Sequence, residues 1–122
     1  EIDIILMGCD IIMHETFITK SGAHLIAAAA KTYKIPVFVL ADSRKILNKK
    51  YFPQSVLGTF IGKEEKSGDE IWKNAPENVE VVFNYIEEVP NKLITRFILE
   101  KEALTPAELI EKIDKVLVAN FF

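Results

Sequence analysis

The chain has 122 residues, 49% of them apolar and 27% charged, which is the make-up of one globular domain able to bury a proper core. Its formal net charge of −3, with Lys and Arg spread along the chain, argues against a nucleic-acid footprint. The lone cysteine, Cys9, excludes an internal disulfide and fits a reducing, cytoplasmic compartment, and no apolar run approaches the roughly 18 residues of a membrane span.

Residues 2–7 form a nearly continuous apolar run that Gly8 ends, so a buried strand is predicted there, with Cys9 and Asp10 at its carboxyl end. Residues 11–18 connect onward and carry a short extended or hairpin segment around His14, Glu15 and Thr16. Thr19, Lys20, Ser21 and Gly22 then lead into an alanine-rich helix over 22–33, alanine being the best helix former. Pro36 resets the chain, and Val37 to Leu40 reads as a second buried strand. Strand, helix and strand make a βαβ unit, so these two strands should be parallel. Asp42 or Ser43 is placed to cap a short helix reaching Leu47. A basic cluster, Arg44, Lys45, Lys49 and Lys50, lies here.

Residues 48–76 are irregular, with a charged surface loop over 64–70 and Trp72 as an anchor for its return. A third strand is predicted over 79–83. A helix is predicted over 93–100, with Leu93, Ile94, Phe97 and Ile98 on its apolar face. Thr105, Pro106 and Glu108 occupy the N-cap, first and third positions of a capping box. The helix that follows should run to about Val118 with Leu109, Ile110, Ile113, Val116 and Leu117 inward. Since the chain opens at Glu1 directly on a strand, it is read as part of a longer protein.

One stretch gathers the chemistry. An acid, Asp10, stands at a strand end; an ammonium, Lys20, follows; and Ser21 and Gly22 open a helix whose first N–H groups suit an anion. In open α/β sheets ligands bind at the carboxyl ends of the strands, so this is a candidate site for a phosphorylated small molecule. Cys9 is expected to be a small buried thiol. His14 and Glu15 lack the further ligands a metal site needs, so no metal and no cofactor is expected. His24 is read as packed or exposed. Trp72 and the Phe121-Phe122 end are read as packing against another domain or subunit.

The ordered set of motifs carries a resemblance. Gly8-Cys9-Asp10 at a strand end, Lys20-Ser21-Gly22 opening an alanine-rich helix, Ile35-Pro36-Val37-Phe38-Val39, Ala41-Asp42-Ser43-Arg44-Lys45 and Leu104-Thr105-Pro106-Ala107-Glu108 follow one another along nearly the whole chain. Together they resemble the C-terminal domain of the initiation factor 2B α/β/δ family, which includes ribose 1,5-bisphosphate isomerase and methylthioribose-1-phosphate isomerase. The resemblance implies an α/β fold: residues 1–122 as a single three-layer, Rossmann-like C-terminal domain with a mostly parallel sheet. It implies Asp10 as the catalytic acid/base if the protein is an isomerase, and Lys20 and Lys45 as phosphate ligands. The isomerases' cysteine would come from an earlier segment, not from Cys9. Thr19 and Ala23 stand where the family usually has asparagine and threonine, and the turn from Asp10 to Lys20 looks one residue short.

Two functions stay open. One is a factor 2B-like subunit whose pocket binds a sugar phosphate or nucleotide. The other is an aldose–ketose isomerase of a phosphorylated ribose. The altered Asn and Thr positions favour the first and the retained Asp10 the second. The partners implied are the protein's own N-terminal domain, further copies of itself through the third strand and last two helices, and initiation factor 2.

Overall fold

A computed structural model describes residues 1–51 and 68–115. In chain order its regular elements are β1 (Ile5–Gly8), β2 (Ile11–Ile12), β3 (Thr16–Lys20), α1 (Ala23–Thr32), β4 (Val37–Leu40), β5 (Ile86–Pro90), β6 (Arg96–Ile98), β7 (Ala103–Leu104) and α2 (Pro106–Asp114). The main sheet has the order β1-β4-β6-β7. Within it β1, β4 and β6 run parallel, and only the short β7 is antiparallel to β6. The fold is α/β with a mostly parallel main sheet, as the βαβ reading requires. A second, antiparallel sheet, β2-β3-β5, grows from the hairpin anticipated around His14 to Thr16.

The period-2 alternation of side chains decides which face of the main sheet is inside. Val37, Val39 and Phe97 are buried together with Ala27 and Ala30 of α1 and Leu109 and Ile113 of α2. Phe17 of β3 meets Phe97 edge to face, with ring centroids 5.7 Å apart and planes at 84°, the geometry in which the ring quadrupoles attract. These two rings tie β3 to β6 in the main core, while Met13, Ile18, Leu47 and Ile86 form a second, smaller cluster.

Four expectations need correcting. Residues 2–7 are not uniformly buried: β1 is an edge strand, and Leu6 on its outer face is 58% exposed. Residues 79–83 form no strand, and Val82 is 69% exposed; the strand that pairs with β3 is β5, beginning at Ile86. Residues 93–100 are not a helix. Their apolar residues fit a helical face, but a turn at Asn91–Leu93 leads into β6, which lies between β4 and β7. Thr95 secures the entry: its N–H donates to Val37 O at 2.9 Å, and its hydroxyl accepts from Val37 N–H at 3.0 Å. A slot between two strands, each supplying hydrogen bonds, overrides helical spacing. In α2, Leu109 and Ile113 are buried as expected, whereas Ile110 is 38% exposed.

The local signals at the helix ends are realised. Thr105 Oγ1 accepts from Glu108 N–H at 3.3 Å and donates to the Glu108 carboxylate at 3.0 Å, with Pro106 in the first turn. Asp42 caps the turn at Ser43–Lys45 by accepting from Arg44 N–H. Val116, Leu117, Phe121 and Phe122 lie outside the described residues, as does the loop segment 64–67. Trp72 is half exposed, and its N–H donates to Gly68 O at 2.9 Å.

Candidate functional site

The carboxyl ends of β1 and β4 come together with the end of β3 and the start of α1. Backbone and short side chains fix this junction. Asp10 N–H donates to Ile18 O at 2.8 Å, and the buried Thr19 hydroxyl donates to Gly8 O at 2.9 Å. The hairpin β2–β3 is thereby tied back to the end of β1, so Lys20 returns beside Asp10. Gly22 then turns the chain into α1 with φ of 100°, a left-handed conformation that favours glycine.

A cleft of about 450 Å³ opens at the junction, and Asp10, Lys20, Ser21, Gly22 and Lys45 all line it, with Met7, Thr19 and Ile26 among its other walls. The five residues singled out from the sequence therefore share one cleft. Lys20 Nζ lies 3.6 Å from Asp10 Oδ2, and their side chains are 73% and 40% exposed. Lys45 arrives from the far side, on the turn that follows β4, and donates from Nζ to Cys9 O at 2.7 Å. This bond fixes the ammonium over the end of β1. The other basic residues of the cluster go elsewhere: Arg44 pairs with Asp42 at 3.1 Å, and Lys50 lies over the Tyr51 ring.

The expected anion cradle at the helix start is built differently. Ser21 N–H donates to Tyr85 O at 2.9 Å, and the Ser21 hydroxyl donates to Asn84 O, so Ser21 is engaged with the chain before β5. The N–H of His24, in the first turn of α1, donates to the Glu87 carboxylate at 2.8 Å. Neither Glu87 nor that bond was visible in the sequence, because the strand was expected seven residues earlier than β5. The His24 side chain is exposed.

The titratable groups around the cleft divide by burial. Cys9 is buried, and its thiol is pushed up to about 11; burial is the main cause, the nearby Asp10 and Asp42 add to it, and Lys45 opposes it. It is a core side chain, not an available nucleophile. Asp42 is held below its ordinary value chiefly by the hydrogen bond from the Arg44 side chain. Glu100 is also lowered, chiefly because Ser43 N–H donates to it, at 2.8 Å. These bonds brace the turn that carries Lys45. Among the described residues no three His, Cys, Asp or Glu side chains are grouped to hold a metal ion, and no helix is long and apolar enough to cross a membrane.

Known proteins are similar to this chain in sequence and in fold. A methylthioribose-1-phosphate isomerase from Thermoanaerobacter sp. (strain X514) is 31% identical over 112 residues, covering 87% of this chain and 31% of its own. The crystal structure of 5-methylthioribose 1-phosphate isomerase from Pyrococcus horikoshii OT3 superposes with a TM-score of 0.70 at 24% identity, covering 94% of this chain and 33% of that one. The translation initiation factor eIF-2B subunit delta from A. fulgidus gives 0.71 at 23% identity, covering 92% and 34%. The chain thus spans about a third of the length of these relatives. The profile of the Initiation factor 2 subunit family matches residues 1–106. With the match running through both halves of the βαβ unit and on to the start of the last helix, the chain belongs to the initiation factor 2 subunit family.

Proposed function

We propose that the cleft binds a phosphorylated small molecule, a sugar phosphate or nucleotide, as the ligand pocket of an initiation factor 2B-like subunit. The observation that carries this reading is the convergence of Lys20 and Lys45 on one cleft at the carboxyl ends of two parallel strands. Lys45 offers an ammonium already fixed in position by Cys9 O, so it loses little freedom when an anion arrives. Lys20 adds a mobile charge at the rim. No cofactor enters this reading.

A second reading is favoured by Asp10, which lines the same cleft beside Lys20. In an aldose–ketose isomerase of a phosphorylated ribose, Asp10 would carry the proton between adjacent sugar carbons while the lysines hold phosphate. The relatives named as isomerases of a sugar 1-phosphate support keeping this reading. The binding reading is preferred because Asp10 stands partly in solvent and paired with a lysine.

The proposed protein contacts are with the remainder of a longer chain and with further copies. Support comes from exposed apolar residues of the main sheet's edge and the neighbouring helix: Ile4, Leu6 and Leu40 are 44%, 58% and 42% exposed, and Leu25 of α1 is 76% exposed. This moves the expected contact surface, since the third strand and the helix over 93–100 do not exist as such. Initiation factor 2 as partner and a cytoplasmic location belong to the same proposal.

The test is proton NMR of the full-length parent protein with ribose 1,5-bisphosphate and, separately, methylthioribose 1-phosphate. Ligand-induced shifts without conversion are expected. Conversion to the ketose would establish the isomerase reading instead, and the absence of both shifts and conversion would refute the pocket.

A further inference from the structure

Lys45 reaches the cleft from outside the main sheet. Ala41 N–H still donates to Ile98 O at 3.0 Å, alongside β6. Beyond it the chain leaves the sheet and turns through Ser43–Lys45. The bonds inside the turn are local: Asp42 accepts from Arg44 N–H at 2.9 Å, and Lys45 N–H donates to Asp42 O at 3.1 Å. They give the turn its shape but not its place. Its place comes from the neighbouring strand hairpin. Glu100, between β6 and β7, accepts from Ser43 N–H at 2.8 Å and from the Ser43 hydroxyl at 3.0 Å, both on one carboxylate oxygen. The exit from the turn is fixed separately, by Leu47 N–H on Ile12 O at 2.8 Å. The support under Glu100 is itself held: Leu99 N–H donates to Glu102 O at 2.8 Å across the hairpin turn, and the Glu102 carboxylate pairs with Lys112 of α2. A carboxylate on a firm support thus pins Ser43, and two residues later Lys45 Nζ meets Cys9 O at 2.7 Å.

We infer that Glu100 is a positioning residue for the cleft: through Ser43 it sets the turn that aims Lys45, and so raises the affinity for a phosphate that it does not touch. The inference rests on the phosphate-binding reading above. Glu100 is not among the residues that line the cleft, whereas Lys45 is. Its charge has the wrong sign to attract an anion, so any gain in affinity has to pass through geometry. The gain is one of freedom. A lysine is a compact charge on a flexible stem, and one already held in place has less freedom to lose when an anion arrives. The two bonds from Ser43 end on an ionised acceptor, which makes them stronger than bonds between neutral groups.

The experiment titrates inorganic phosphate into the protein and follows it by amide NMR, which reads weak binding as well as tight. Wild type is compared with Glu100→Ala, which removes the acceptor, and Glu100→Gln, which removes the charge but keeps an acceptor for Ser43. Lys45→Met, alone and together with Glu100→Ala, completes a double-mutant cycle. Glu100 is exposed, so the variants keep the core intact. The expected result is that Glu100→Ala weakens phosphate binding about two- to tenfold, the range for newly immobilising a long side chain. Glu100→Gln recovers most of that loss, and in the Lys45→Met background Glu100→Ala changes nothing further. Before phosphate is added, the Asp10 amide nitrogen, which shares its peptide unit with Cys9 O, shifts in Glu100→Ala towards its position in Lys45→Met. If Glu100→Ala binds as tightly as the wild type or more tightly, the carboxylate acts only as a nearby charge, and its positioning role falls while the pocket stands. If Glu100→Ala weakens binding by the same factor with and without Lys45, the loss does not pass through Lys45 and the role falls as well. If the wild type binds no phosphate, the pocket reading fails and the role of Glu100 fails with it.

Discussion

Replacing each lysine of the cleft separates two roles that the sequence made equal. Lys45 is half-buried, and its Nζ is held at 2.7 Å from Cys9 O, so an anion there meets a fixed, partly desolvated charge. A hydrogen bond to a charged group in such a place contributes about 1.5–3 kcal/mol, which corresponds to a loss of about tenfold to over a hundredfold in affinity on Lys45→Met. Lys20 is 73% exposed and 3.6 Å from Asp10. A solvent-exposed ion pair contributes about 0.2–1 kcal/mol, so Lys20→Met should weaken binding by no more than about fivefold. The assay is calorimetric titration of ribose 5-phosphate into each variant at low and at high salt. The Lys20 contribution should shrink further with salt, since exposed charges are screened while enclosed ones are less so. Urea unfolding of both variants guards against a folding artefact. If Lys20→Met abolished binding while Lys45→Met bound as the wild type does, the assignment of the anion to the inner lysine would be wrong.

Other outcomes follow from the packing. Phe97→Ala removes a fully buried ring and its edge-to-face contact with Phe17; urea unfolding should show a loss of about 3–5 kcal/mol, whereas a loss below about 1 kcal/mol would contradict β6 as a central strand. Gly22→Ala meets no atom within 4 Å, so its cost is the left-handed backbone alone, about 1–2 kcal/mol by the same assay. Cys9 has its thiol raised from 9.0 to about 11 in the folded state. Below pH 9 both states are protonated and stability is unaffected; between pH 9 and about 11 the unfolded chain loses the proton first. Stability should then fall by up to about 1.4 kcal/mol per pH unit, a slope that Cys9→Ala should remove in pH-dependent urea unfolding.

The site was more legible than the sheet, for a physical reason. Asp10, Lys20 and Lys45 lie beside signals that are local: a strand stopped by Gly8, a left-handed Gly22 before an alanine-rich helix, and a turn capped by Asp42. Short-range chemistry decides those places, and the βαβ rule then brings them to one end of the sheet. Phe97 and Ile98 were misread because burial between β4 and β7 is a long-range fact that a helix-like spacing cannot reveal. The same holds for Glu87. Its partner His24 is 63 residues away, and the register that places it beside Thr19 depends on where β5 begins. The β1 edge was overread because an apolar run announces burial but not on which side; Leu6, on its outer face, is 58% exposed.

What matters most is where an anion sits in the cleft. A crystal structure of the protein with ribose 5-phosphate answers this. The phosphate should lie in the cleft against Lys45 Nζ, with Lys20 at the rim and Asp10 facing the sugar. A phosphate bound elsewhere, or an empty cleft in crystals grown at saturating ligand, would contradict it.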